Sequence, residues 1–520
     1  MVDAAISGAQ QLFTLGPILG MLLVLPIALI SGIMPGGGLP VTVVVLSMVG
    51  FLDPWVAITV VVFQAAANDI TEPVPAILMG IPGARSAQAT ILDGYPMARQ
   101  GLAGIALGAS YTTTLVGGLI GALALLISLP IARGILQYFG SAEFFLLSFM
   151  GILAVAIVSA GAIAKGLVTA AFGLAIATIG YSPVAGVVRT DFGLPYLYEG
   201  IPLVPIIIGL FAIPEAIDLV VGNTPIATRR LETMLRDSRK DVLRGMAVAF
   251  RHWWLIVRSS CIGVFIGMLP GVGGSVAHWI AYANARQTEP GARESFGRGD
   301  VRGVIAADAA NNSVDGGVLI PTLVFGIPGS GSMAIVLAML IIYGMNPGPQ
   351  MLTQNLDFTI SLVYTIALAN VIVVPIMLFF SPMIVRIAAI PPNTLAPIVI
   401  GIVTLAAFQA TTTMSDLMIV LAFGTLGVFM KRYGWPRPPI LIAVVLGDIL
   451  EKYLWLSSQT YGWSMFARPQ FVIILAGAVA ITAWTFNTQK RAELAARSAI
   501  DATGARDEDG PIGGGPGSDR

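Results

Sequence analysis

Charge is scarce in this sequence. Only 11% of its 520 residues are Asp, Glu, Lys or Arg, where a soluble domain carries about 25%. The 28 basic residues balance the 28 acidic ones, so no cationic surface is on offer and nucleic acid is excluded as a partner. A single cysteine, Cys261, excludes an intrachain disulfide. The two histidines, His252 and His278, stand in unlike settings and read as structural. HExxH, GxxxxGK(S/T), paired-cysteine and GxSxG patterns are all missing, which removes the metalloprotease, P-loop ATPase and serine-hydrolase readings. No catalytic residue, resident metal or organic cofactor is therefore assigned. The first apolar stretch lacks a basic flank and a small-residue cleavage site, so it reads as a retained helix rather than a signal peptide.

Hydrophobic residues fill the space that charge leaves, at 56% with mean hydropathy +0.85. Crossing a hydrocarbon core of about 30 Å takes about 20 apolar residues per helix. Such stretches recur at 15–34, 103–130, 144–160, 358–380 and 471–485. The expectation is an all-α polytopic membrane protein with about 12 transmembrane segments, its solvent the lipid bilayer. Residues 229–251 are basic-leaning and mid-chain, and the positive-inside rule makes them a cytoplasmic linker. They divide a first membrane repeat, 1–228, from a second, 252–487. The loop 286–302 also leans basic, which predicts a hairpin between the two loops, turned at Pro270-Gly271. Residues 488–520 end in DEDGPIGGGPGSDR, with no apolar face to bury, and read as a disordered tail.

The halves resemble each other. SGIMPGGGLP (31–40) matches IGMLPGVGGS (266–275), with Pro35 opposite Pro270, and ILMGIPGARS (77–86) matches LVFGIPGSGS (323–332). Two copies of an ordered pair of motifs point to an internal duplication, the usual build of secondary transporters, with the site near the repeat interface. The 59 glycines and 33 prolines have a plain explanation in close helix packing. Clustered in these motifs, they point instead to helices broken within the membrane.

Gly80, Ile81, Pro82 and Gly83 form the first such break, and Gly326, Ile327, Pro328 and Gly329 the second. A helix restarting after a break points free N–H groups and its positive dipole end at the gap, which suits a carboxylate. Ser86 and Thr90 follow the first break and Ser330 and Ser332 the second, as further donors to the same anion. A polar cluster precedes each loop. The first offers Asn68, Asp69 and Glu72, the second Asp308, Asn311, Asn312 and Asp315. A charge at the bilayer centre costs about 2.5–3.5 kcal/mol even on the mildest scale. Asn68, Asp69, Asp308, Asn311 and Asn312 are accordingly read as ligands for a coupling ion, Na⁺ or H⁺, or for substrate oxygens. Other charges near apolar runs, Asp93, Lys165, Arg189 and Glu451 among them, read as helix-end residues reaching for the interface.

ATILDGYPMARQG, AADAANNSVDGGVLIPTLVFGIPG, LIIYGMNPGPQML, IATIGYSPVAGVVRTDFG and VVLGDILEKYLW together resemble the large membrane subunit of the tripartite tricarboxylate transporters, over roughly residues 15–485. FQAAANDITEPVP departs from that pattern, whereas the second-half motif fits it. The resemblance implies three parts: this subunit, a small membrane subunit of about four helices, and a periplasmic solute-binding protein that delivers a carboxylate. It also implies secondary active uptake with H⁺ or Na⁺ across the bacterial inner membrane. A passive channel or membrane sensor is the alternative. A membrane-embedded lipid-modifying enzyme finds poor material in two histidines and scattered carboxylates.

Overall fold

The structure is a computed structural model. It describes residues 1–33, 42, 45, 49, 52–81, 83, 85–158, 163–182, 184–214, 217, 238–269, 273–388, 414–477 and 479. Residues 34–40, Pro82, Pro270, 229–237 and the tail 488–520 lie outside these, so most of the 31–40 motif and the start of the 229–251 linker are not placed. Residues 1–462 form one compact unit and 463–520 a second.

The first half runs α1 (Val2–Leu12), α2 (Leu15–Ile33), α3 (Pro54–Thr71), α4 (Pro73–Met79), α5 (Gln88–Arg99), α6 (Ala103–Leu136), α7 (Ser141–Val158) and α8 (Ile163–Ala177). A two-stranded antiparallel ribbon, β1 (Gly180–Tyr181) with β2 (Val188–Thr190), precedes α9 (Leu203–Ile207), which continues as a π-helical turn over Ile208–Ala212. The second half runs α10 (Ser238–Arg251), α11 (Trp253–Gly267), α12 (Gly273–Thr288), α13 (Val301–Phe325), α14 (Gly331–Ile342), α15 (Leu356–Ala388), α16 (Met414–Arg432) and α17 (Pro438–Tyr461). Among the described residues four helices are long and apolar enough to cross a membrane: Leu15–Ile33, Ala103–Leu136, Leu356–Phe380 and Met414–Arg432. Five apolar helices are shorter: Ser141–Ile157, Ile163–Ala177, Leu203–Ala212, Trp253–Gly267 and Gly331–Ile342.

The centre of the larger unit is α13 packed on α6, which joins the two halves. Small residues bring their backbones together. A Cβ on Gly121 would stand 2.7 Å from the Ser313 carbonyl oxygen, and one on Gly117 2.6 Å from that of Ala309. Such close approach is what dispersion between membrane helices needs, since lipid tails leave little hydrophobic drive between them. Away from this contact α6 exposes Leu119, Leu123, Ile127, Ile131 and Ile135. Their spacing of four residues draws an apolar stripe down one side of the helix, as a lipid-facing surface requires.

Helices α11 and α12 pack together, and an Arg258–Glu289 ion pair of 2.9 Å joins the start of one to the loop after the other. At 15 and 16 residues each is about 22–24 Å long, short of the ~30 Å core. They form a helical hairpin whose open end meets the basic helix α10 on one side and the basic-leaning loop 286–302 on the other.

Candidate functional site

The two Gly-Ile-Pro-Gly loops share one backbone device. Gly80 ends α4 and Gly326 ends α13, each left-handed at φ 69°. Two residues with the same role sit five positions earlier: Ile81 N–H donates to the Pro75 carbonyl at 3.4 Å, and Ile327 N–H to the Pro321 carbonyl at 3.1 Å. This is a helix-closing turn that only glycine enters without strain. The last glycine of each motif serves a different need. A Cβ on Gly83 would meet the Gly32 carbonyl at 2.6 Å and the Glu72 carbonyl at 2.8 Å; one on Gly329 would meet Val318 at 2.7 Å. Each loop is thus folded back tightly on the helix before it. Ile327, Pro328 and Gly329 are buried, whereas Ile81 is exposed.

Beyond the second loop, Ser330 caps α14, its hydroxyl accepting from Met333 N–H at 3.3 Å. Ser332 lies partly buried on the first turn of α14. After the first loop the hydroxyls have other partners. Ser86 donates to Glu72 Oε2, and Thr90 donates across the two halves to Asp308 Oδ1. In the sequence these hydroxyls read as donors to an anion; in the structure they serve carboxylates. Asn68 donates to Glu72 Oε1 at 2.6 Å and accepts from Ser31 at 3.0 Å. Pro73 and Pro75, lacking N–H groups, deprive the Asp69 and Thr71 carbonyls of their i+4 donors.

The second cluster lies on one helix. Asn311, Asn312 and Asp315 follow Asp308 by three, four and seven residues along α13, and so all four share one face. All four are buried. Asp308 Oδ2, Asn311 Oδ1, Asn312 Oδ1 and Asp315 Oδ2 have no hydrogen-bond partner among the described residues. An unsatisfied buried acceptor costs about 1–3 kcal/mol, so these four are acceptors that a bound cation or proton would satisfy. The Asp315 carboxyl faces that of Asp69, with Glu72 alongside. Like charges brought together disfavour double ionisation and favour a proton or cation shared between them. Among the described residues no group of three or more His, Cys, Asp and Glu side chains is set to hold a metal ion. The donor set is one of acid, amide and backbone oxygens, which fits Na⁺ or a proton.

Asn312 is also a tie. Both its amide hydrogens are engaged, on the Thr114 carbonyl at 2.7 Å and on Asn370 Oδ1, binding α13 to α6 and α15. Asp93 does not reach out to solvent as a helix-end residue would. It is fully buried and accepts from the backbone N–H groups of Gly297, Gly299 and Asp300 at 2.8–3.0 Å and from the Tyr282 hydroxyl at 2.8 Å. This carboxylate of the first half fastens the loop that enters α13. Burial opposes the charge on Asp300 in that loop, but hydrogen bonds from Arg302 and Ser295 outweigh it and hold the carboxyl below its ordinary range. Arg189 pairs with Glu451 at 2.8 Å, and Lys165 donates to the Tyr433 carbonyl at 2.8 Å.

Residues 18–442 match the pattern of the Tripartite tricarboxylate transporter TctA family. The chain is 27% identical over 429 residues to the "Uncharacterized 52.8 kDa protein in TAR-I ttuC' 3'region" of Agrobacterium vitis, covering 81% of this chain and 83% of that protein. It is 28% identical over 192 residues to the "Uncharacterized protein in TAR-II ttuC' 3'region" of the same organism, covering 37% of this chain and 79% of that protein. No solved structure matches. The long apolar helices, the paired broken-helix loops and a match over most of the length agree: the chain belongs to the tripartite tricarboxylate transporter TctA family.

Proposed function

We propose that this chain is the large transmembrane subunit of a secondary active, binding-protein-dependent uptake system for tricarboxylate- or dicarboxylate-type anions. Its partners are a small membrane subunit of about four helices and a periplasmic solute-binding protein, in the bacterial inner membrane. About a dozen segments form two related halves, and the alike closing turns of the two loops support a duplication. The backbone of residues 80–83 and 326–329, with Ser330 and Ser332, receives the substrate carboxylates. Asn68, Asp69, Asp308, Asn311 and Asn312 carry the coupling Na⁺ or H⁺. Ser86 and Thr90 support these acids through the hydroxyl contacts they make.

The observation that carries this reading is the row of four unpartnered oxygens along α13, with Asp315 facing Asp69 of the other half. A cation or proton taken up there satisfies acceptors from both halves at once. Alternating access then follows when one part moves against the other. The test is uptake of labelled di- and tricarboxylates by the three-part system in proteoliposomes. Accumulation is expected only with an imposed H⁺ or Na⁺ gradient and only with the binding protein present. Accumulation that continues with both gradients dissipated at constant ATP contradicts the proposal.

A further inference from the structure

Away from the coupling site, at the end of the molecule where the α11–α12 hairpin opens, a cavity of about 610 Å³ lies between α5 and α12. Its lining includes Leu92, Trp279, Tyr282, Arg286, Gln287 and Arg293. Along α12 the apolar and cationic residues are segregated. Arg286 follows Trp279 by seven residues, about two turns or ~10 Å. Trp279 and Leu92 are each 38% exposed, leaving an aromatic-aliphatic wall open on one side of the guanidiniums.

The acids near this groove are already matched. Glu289 pairs with Arg258 at 2.9 Å and Asp300 with Arg302 at 2.6 Å. Asp93 is held by three backbone N–H groups and the Tyr282 hydroxyl. Glu294 is outside the lining. Arg286 and Arg293 make no ion pair with any described residue. Two free guanidiniums and an amide make a fork-shaped receptor for phosphate oxygens. A soluble anion has no use for the Leu92–Trp279 wall; an amphiphile does. The basic loops put this end at the cytoplasmic leaflet, where anionic lipids concentrate.

We propose that the α5–α12 groove binds an anionic phospholipid, its phosphate on Arg286 and Arg293 and its acyl chain along Trp279 and Leu92. The test uses the full-length chain, delipidated in detergent and titrated with phosphatidylglycerol, phosphatidylcholine or inorganic phosphate, with retained lipid read by native mass spectrometry and Tm by unfolding. Phosphatidylglycerol is expected to bind at least about tenfold more tightly than phosphatidylcholine and to raise Tm, with inorganic phosphate leaving Tm unchanged. The double variant Arg286→Gln/Arg293→Gln should weaken phosphatidylglycerol binding about ten- to hundredfold, the range expected for lost charged hydrogen bonds. Arg244→Gln, outside the groove, should bind it as the wild type does. Should the double variant fold poorly, Arg286→Lys/Arg293→Lys keeps the charge and loses the fork, and a loss of at least about fivefold is expected. Equal binding of both lipids by the wild type, an equal rise with inorganic phosphate, or unchanged binding by the variants overturns the proposal. A double variant that keeps its lipid but no longer co-purifies with the small membrane subunit also overturns it, and makes the groove a protein interface.

Discussion

Two adjacent asparagines with one codon's difference in position carry different duties. Both amide hydrogens of Asn312 are engaged by Thr114 and Asn370, so Asn312→Ala breaks a tie among three helices and should lower stability by about 1–3 kcal/mol. Asn311, with its oxygen unpartnered, makes no such tie. Asn311→Ala should keep the wild-type Tm while uptake falls ten- to hundredfold, for a lost bond to a charged partner of roughly 1.5–3 kcal/mol. Paired thermal unfolding and initial uptake rates separate the two, and equal Tm losses would contradict the division of labour. Sequence alone pointed to both residues through their cost in lipid, but it had no means of telling them apart. The partners that distinguish them stand 58 and 198 positions away. The bonds that Asp93 makes are illegible for the same reason, since the loop it holds lies more than 200 residues on. Cys261 is exposed and has no second thiol to pair with, so Cys261→Ser should leave uptake unchanged; a loss of more than half would assign the thiol a role.

At the scale of elements, the broken-helix loops were the most legible feature, because proline and glycine act locally on the backbone. Their glycines differ in ways a motif does not show. Gly80 needs its left-handed φ, and alanine there should cost about 1 kcal/mol. Gly83 needs room, since an added Cβ would collide with two backbone carbonyls that cannot swing aside as a side chain does. Gly83→Ala should therefore reduce both Tm and uptake more than Gly80→Ala, as measured on the two variants purified side by side. The reverse order would mean that the loop relaxes around Gly83. Helix lengths were less legible: the apolar stretches of α7, α8, α11 and α14 are continuous in sequence, but their helices are short. Where an apolar run ends in a turn or a break depends on its neighbours.

For the whole molecule, the proposed function requires that two halves of one chain share a carboxyl site coupling an ion gradient to uptake. The repeated motifs are readable in the sequence, whereas the juxtaposition is not: Asp69 and Asp315 lie 246 positions apart, and only packing of α3 and α13 brings them together. That spacing equals the one between Gly80 and Gly326, so the two acids occupy matching places in the two halves. Neutralising one of them should uncouple transport without abolishing substrate binding. The direct measurement is Asp315→Asn in proteoliposomes with the small subunit and the binding protein, comparing gradient-driven accumulation with exchange of internal for external labelled carboxylate at zero gradient. The account predicts that accumulation falls at least about tenfold, the effect of losing one charged contact, while exchange persists. Accumulation at the wild-type level in Asp315→Asn would contradict it.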